Sequence, residues 1–235
     1  MRMLLIAAAA ATLLGAACAP VESTRRSRLP ATPTPRVQTL IAVDPRHLVL
    51  DEKSFLPGQW TMQEGTIFTG QWNRAWDRDP ADPGAAAGAT RVTVQATLFP
   101  SLEESTEKFA QTAAGAGGRD TVQRVIALRG FDVANIQVTE VPLDGLGLDE
   151  QAAWRAEFSR GVATERYVQY FVYLRVRNVH ATLTTFAQYV NGAEPPQLLE
   201  ETKQLAQREA SLLRAQPATP QVVPTPAGPS TTGPG

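Results

Sequence analysis

The chain has 235 residues and a mass of 25.3 kDa, enough for one domain with tails. Apolar residues make up 43% and charged residues 19%, which excludes a wholly disordered chain, a coiled coil and a multi-span membrane protein. A net charge of -1 and a pI near 6.2 argue against bulk nucleic-acid binding, and one cysteine rules out an internal disulfide or a multi-thiolate zinc site.

Met1-Arg2-Met3 is a short positive start. Leu4 to Leu14 is apolar apart from Thr12, and the small residues Gly15, Ala16 and Ala17 lead to Cys18. Residues 1–17 therefore read as an export signal, too short for a spanning helix. Cys18 stands where a lipoprotein signal peptidase cuts, so the segment resembles the bacterial lipoprotein signal. That resemblance implies a diacylglycerol thioether on Cys18 and an acylated amino terminus. One departure is Gly15, which stands where such signals usually carry leucine. Ordinary secretion with cleavage after Ala17 is the alternative. Several acyl chains hold a protein firmly on a bilayer. The expected location is the outer face of the bacterial cell membrane, or the outer membrane of a two-membrane host.

Residues 18–36 read as the lipidated cysteine followed by a tether. Pro30, Pro33 and Pro35 favour extended geometry, and Arg25, Arg26, Arg28 and Arg36 make it basic. Residues 37–214 then form a single α+β domain. Residues 215–235, rich in Pro, Gly and Thr, read as a disordered tail.

Within the domain, Arg46–Leu50 reads as a short strand and Leu56-Pro57-Gly58 as a turn. Trp60 opens an extended run to Phe68, and Asp77–Gly88 reads as a loop. Arg91–Phe99 alternates Val92, Val94, Ala96 and Leu98, the period of a strand. Ser101 and Glu104 make a capping box for a helix whose face carries Leu102, Thr106, Phe109 and Ala113. Asp120 is read as the cap of a second helix, ended by Gly130. Ile136–Val141 and Ala152–Ser159 are strands. Val168, Tyr170, Val172, Leu174 and Val176 alternate, and Val179, Ala181 and Leu183 continue the pattern beyond Arg177-Asn178. A two-residue turn there pairs Val176 with Val179, Leu174 with Ala181 and Val172 with Leu183. Pro195–Leu213 carries a leucine stripe and reads as a helix. Strands in adjacent runs predict a mostly antiparallel sheet of about 6–7 strands, with helices packed on its faces.

The runs FLPGQW, GLGLDEQAAWRAEF and YFVYLRVRNVHATL, with the closing helix, are similar to bacterial lipoproteins of unassigned role. The element order resembles the fold shared by PsbP-type photosystem proteins, Mog1-like proteins and sensor-type lipoproteins. The resemblance implies non-catalytic binding or assembly roles and supplies no catalytic residues.

No nucleophile elbow, zinc-protease helix, Walker loop or Cys-His cluster is present, and no metal or cofactor is expected. Gly115, Gly117 and Gly118 read as a connector rather than a phosphate cradle. Asp77, Asp79 and Asp82 recur like calcium ligands, but Ala81 and Gly88 break the EF-hand pattern. Tyr167, Phe171, Tyr173, Arg175, His180 and Phe186 fall on one hairpin face. That face is either covered by helices or a candidate binding surface. Trp72, Trp76, Asp77, Asp79 and Asp82 are a candidate contact loop. The leading reading is a non-catalytic, lipid-anchored envelope protein that binds a protein partner or assists a complex, without nucleic acid. The second is a carrier or sensor of a small apolar ligand. The third is a hydrolase using carboxylates such as Asp149 and Glu150.

Overall fold

The alternation over 165–190 forms a long hairpin of β7 (Glu165–Val176) and β8 (Val179–Gln188). A computed structural model describes residues 35–66, 68–130, 133–161 and 165–223, so Cys18, the export signal and most of the tether lie outside the described residues. Val176 pairs with Val179, Leu174 with Ala181 and Val172 with Leu183, as the spacing predicts. Arg177 takes φ +54° at the turn. Asn178 is 2% exposed. Its Oδ1 accepts from the Ile41 amide at 2.8 Å, and its Nδ2 donates to the carbonyls of Ile41 (3.1 Å) and Phe99 (2.9 Å).

Around the hairpin lie β2 (Trp60–Gly65), β3 (Gln71–Arg78), β4 (Arg91–Leu98), β5 (Val133–Glu140) and β6 (Glu150–Arg160). They form a seven-stranded antiparallel sheet in the order β2-β3-β4-β8-β7-β6-β5. The three helices are α1 (Leu102–Thr112), α2 (Gly115–Ala127) and α3 (Leu198–Arg214).

The two sheet faces are covered differently. On one, Leu198, Leu205, Ala206, Ala210 and Leu213 of α3 are fully buried against Val92, Val94, Val172, Leu174 and Leu183. On the other, Val122 and Ile126 of α2 pack on Trp154, Ala156, Phe158 and Phe171. Here α2 contacts β5 and β6, and α1 contacts β8. Trp154 Nε1 donates to the Ala113 carbonyl at 2.8 Å. A Cβ on Gly118 would stand 2.1 Å from that carbonyl oxygen, so the first turn of α2 requires glycine there.

Ser101 caps α1 as predicted, its Oγ accepting from the Glu104 amide at 3.1 Å. Other expectations are corrected. Pro45–Leu48 is a 3-10 turn rather than a strand: Pro45 fixes the first φ and Asp44 Oδ1 accepts from the Arg46 amide at 2.9 Å. β3 occupies residues from which no strand was read, and it carries the chain to Arg78 before the loop begins. α2 starts at Gly115, ahead of the predicted cap at Asp120, so the three glycines lie in its first turn. The tails also differ from expectation. Arg36–Ile41 forms β1, and Ala218–Val223 forms β9, an antiparallel pair in a second sheet. Pro220 is tolerated because every strand of a two-stranded sheet is an edge.

Two titratable groups are shifted by this packing. Glu209 of α3 is 0% exposed; its Oε2 accepts from the Leu50 amide at 3.1 Å and its Oε1 has no partner. Burial pushes its carboxyl up to about 8, against the smaller opposing pull of that bond and of Arg74. His180 lies under α1, its Nε2 donating to the Ser105 carbonyl at 2.8 Å between the rings of Phe99 and Phe109. Burial pushes it down to about 4.

The signs of these shifts oppose. Glu209 favours the folded state below its ordinary 4.5 and loses that contribution as pH rises through 8. His180 favours it above 6.5 and loses that contribution as pH falls through 4. Between 6.5 and 8 only Glu209 of this pair acts. The thermal midpoint is expected to fall over that interval in the native protein and to stay level in Glu209→Gln. An equal fall in the variant contradicts the assignment.

Candidate functional site

The aromatic hairpin residues do not form one open surface. Phe171 is 3% exposed and packs in the core beneath α2, so it is closed to a partner. Tyr167 stacks on Phe158 and Phe186, with ring centroids 5.7 Å and 5.4 Å away. Tyr173 is half-buried, and desolvation raises its hydroxyl to about 12. His180 sits under α1. Arg175 and Phe186 diverge into separate clefts.

The 72–88 segment works as a clasp. Trp76 is 1% exposed and stacks on Phe55 at 4.2 Å, so it offers no contact surface. Trp72 is half-buried with the Arg46 guanidinium over its ring at 5.1 Å. Asp77 pairs with Arg91 at 3.5 Å, and Asp79 accepts from the Ala81 amide at 2.8 Å. Asp82 accepts from the amides of Gln59 (2.6 Å) and Gly84 (2.7 Å), which hold its carboxyl below the usual range. Each carboxylate has its own partner. No cluster of three metal-ligating side chains occurs among the described residues.

At the centre of the clasp is Arg78, a buried residue that sequence reasoning passed over. It donates to the carbonyls of Gly84 (3.0 Å) and Ala89 (3.1 Å) and to Glu201 Oε1 (3.2 Å). Asp82 lies 3.7 Å from it, and its guanidinium covers the Trp60 ring at 4.6 Å. Glu201 Oε2 accepts from the Ala89 amide at 2.6 Å. The loop is thereby fastened to α3.

A surface cleft with a volume of about 570 Å³ opens at the hairpin tip. Leu102 and Thr106 of α1, Arg214 at the end of α3, Gly147–Asp149 and Arg175–Arg177 line it. The start of α1 on one sheet face and the end of α3 on the other meet here around the tip that Asn178 holds. Asp149 Oδ2 accepts from the Arg177 amide at 2.6 Å. Arg175 Nε donates to Glu150, and its Nη1 lies 3.8 Å from Asp149. The Asp149–Glu150 pair is thus tied to Arg175 and to the turn. Gly147 has φ +63°, and a Cβ on it would stand 2.9 Å from Arg214 Nη1. Arg177 and Arg214 are exposed at the rim. The arrangement presents cations beside the apolar side chains of Leu102, Leu148 and Val176.

No family model matches the chain, and no curated protein matches it. Solved structures similar to it include the Saccharomyces cerevisiae Ran-binding protein Mog1p. That protein is 10% identical over 67% of this chain and 93% of its own, with a TM-score of 0.33. A mutant of protein Mog1 is 11% identical over 66% of this chain and 93% of its own, TM-score 0.33. An uncharacterized protein from Mycobacterium smegmatis is 14% identical over 80% of this chain and 93% of its own, TM-score 0.37. Likeness at this level says nothing of function.

Arg78→Met is expected to destabilise the domain by about 3–5 kcal/mol, because it strands Glu201 without its cation. Adding Glu201→Gln should recover part of the loss. Urea unfolding of both variants decides the matter: equal stabilities would mean that the two charges are not coupled.

Proposed function

We propose that the chain is a lipid-anchored envelope protein whose domain binds an acidic polypeptide partner at the hairpin-tip cleft, without catalysis. The observation that carries this reading is the state of the carboxylates. A carboxylate hydrolase needs an acid with a raised pKa open to substrate. The carboxyl that burial raises, Glu209, is 0% exposed. Asp149 and Glu150, which do reach a cleft, are bound by Arg175 and the Arg177 amide. Arg177 and Arg214 at the rim are left to face an acidic partner.

The apolar-carrier reading has less support, since the hairpin-tip cleft is lined by arginines. The anchor rests on the export signal and the position of Cys18. A tether between anchor and domain lets the cleft meet a partner away from the bilayer.

Native mass spectrometry of the protein taken in mild detergent from its own host tests both halves. The expected species starts at Cys18, carries the mass of two or three acyl chains and retains a polypeptide at fixed stoichiometry. An unmodified Cys18 would overturn the anchor. A bare domain at every concentration, or one holding a small apolar molecule, would overturn the partner-binding reading.

A further inference from the structure

A second cleft, of about 400 Å³, lies on the α1–α2 face of the sheet. Strands β4, β8 and β7 build its floor in rows across the sheet. Phe186 of β8 stands between Arg91 of β4 and Gln169 of β7, and Thr93 of β4 pairs with Thr184 of β8. Arg91, Arg129 and Arg160 lie at the rim. Arg91 is paired with Asp77 at 3.5 Å, Arg160 has a partner of its own, and all three are exposed. The rim cations are thus solvated or engaged, and the floor is where hydrogen-bonding capacity is left over.

Gln169 is 1% exposed and its Oε1 has no partner. An unmet amide in the floor of a cleft is costly unless a ligand meets it. Rotation by 180° exchanges Oε1 for the NH2 group, so the amide answers either a donor or an acceptor. Thr93 and Thr184 are half-buried, and their hydroxyls have no hydrogen-bond partner among the described residues. Gln95 and Thr182, the next pair along the same strands, continue this uncharged strip. Sheet geometry sets such groups about 5 Å apart between strands and about 7 Å apart along them. Each can both donate and accept. Phe186 adds an apolar ring, stacked on Tyr167 with centroids 5.4 Å apart.

We propose that this cleft binds a neutral saccharide. Its hydroxyls meet the Gln169 amide and the Thr93 and Thr184 hydroxyls, and the C–H face of a pyranose ring lies on Phe186. The ligand must donate and accept at several points spread over the floor. It needs no charge, because the floor residues carry none. A polyhydroxylated ring meets both demands. A nucleobase presents one polar edge and is best held between two aromatic or apolar faces, whereas one face of Phe186 is taken by Tyr167. The volume falls in the range that holds a small ligand. The inference stands independently of the partner-binding reading.

Ligand-observed saturation-transfer NMR tests the site on the intact protein, held in a polyoxyethylene detergent that has no sugar headgroup. The probes are cellobiose, N,N′-diacetylchitobiose and adenosine. At least one disaccharide is expected to bind saturably, with transfer strongest at the ring C–H protons, and adenosine to bind about tenfold more weakly. Gln169→Leu removes an unmet polar group from the floor. Its melting midpoint should therefore hold or rise while disaccharide affinity falls about tenfold. Thr184→Val, at a half-buried position, should weaken binding about fivefold and carries the test should the first variant fail to fold. A Gln169 that serves packing alone would give a lower midpoint with unchanged affinity. That result, no saturable binding of either disaccharide, adenosine bound as tightly as they are, or full affinity in folded Thr184→Val would overturn the proposal.

Discussion

The geometry of the hairpin tip depends on one side chain, Asn178. Its amide occupies both backbone groups of Ile41 and the carbonyl of Phe99. It thus joins β1, the end of β4 and the β7–β8 turn at a single buried point. Each of these backbone groups would otherwise be an unsatisfied polar atom in a dry place, at about 1–3 kcal/mol apiece. Because the tip is held, the start of α1 on one face and the end of α3 on the other meet around a fixed object, and a cleft of about 570 Å³ remains between them. Asn178 also accounts for the turn sequence. Glycine at this position would make an easier hairpin, but it could not reach Ile41.

The same economy governs the charges. α3 seals one sheet face with a leucine and alanine stripe, yet it also buries Glu201 and Glu209. Glu201 meets Arg78 and the Ala89 amide, and the loop after β3 closes over α3 through that contact. Glu209 meets only the Leu50 amide, and its carboxyl answers by holding a proton. Groups that look reactive in a list of residues are therefore structural, and the exposed arginines are what the surface has to offer. The α1–α2 pair covers β5, β6 and part of β8, leaving Thr93, Gln95, Thr182 and Thr184 half-exposed. An antiparallel sheet tolerates such a wet strip.

Local patterns were legible in the sequence. The β7–β8 register follows from period-two alternation and the Ser101 cap from side-chain chemistry, and both need only neighbours along the chain. β3 was hidden because Arg74 and Arg78 point to the same face as Trp72 and Trp76, breaking the apolar alternation. Part of their charge is met by groups far along the chain, the carbonyls of Val49 and Leu50 for Arg74 and Glu201 for Arg78, beside the nearer Glu64 and Asp82. β1 and β9 were hidden for a related reason. Each is short and flanked by prolines, and its partner lies at the far end of the domain. The aromatic residues of the hairpin were legible as a face but not as a covered one, since α2 carries few large side chains to announce its docking.

The central claim is that the hairpin tip is where this protein meets its partner. Site-specific photo-crosslinking in the native host tests it most directly, with the crosslinker placed at Thr106 or Leu148 in the cleft and at exposed Gln204 on α3 as the control. A discrete polypeptide adduct from Thr106 and Leu148, absent from Gln204, is the predicted result. Adducts confined to Gln204, or none from either cleft position, would contradict the account.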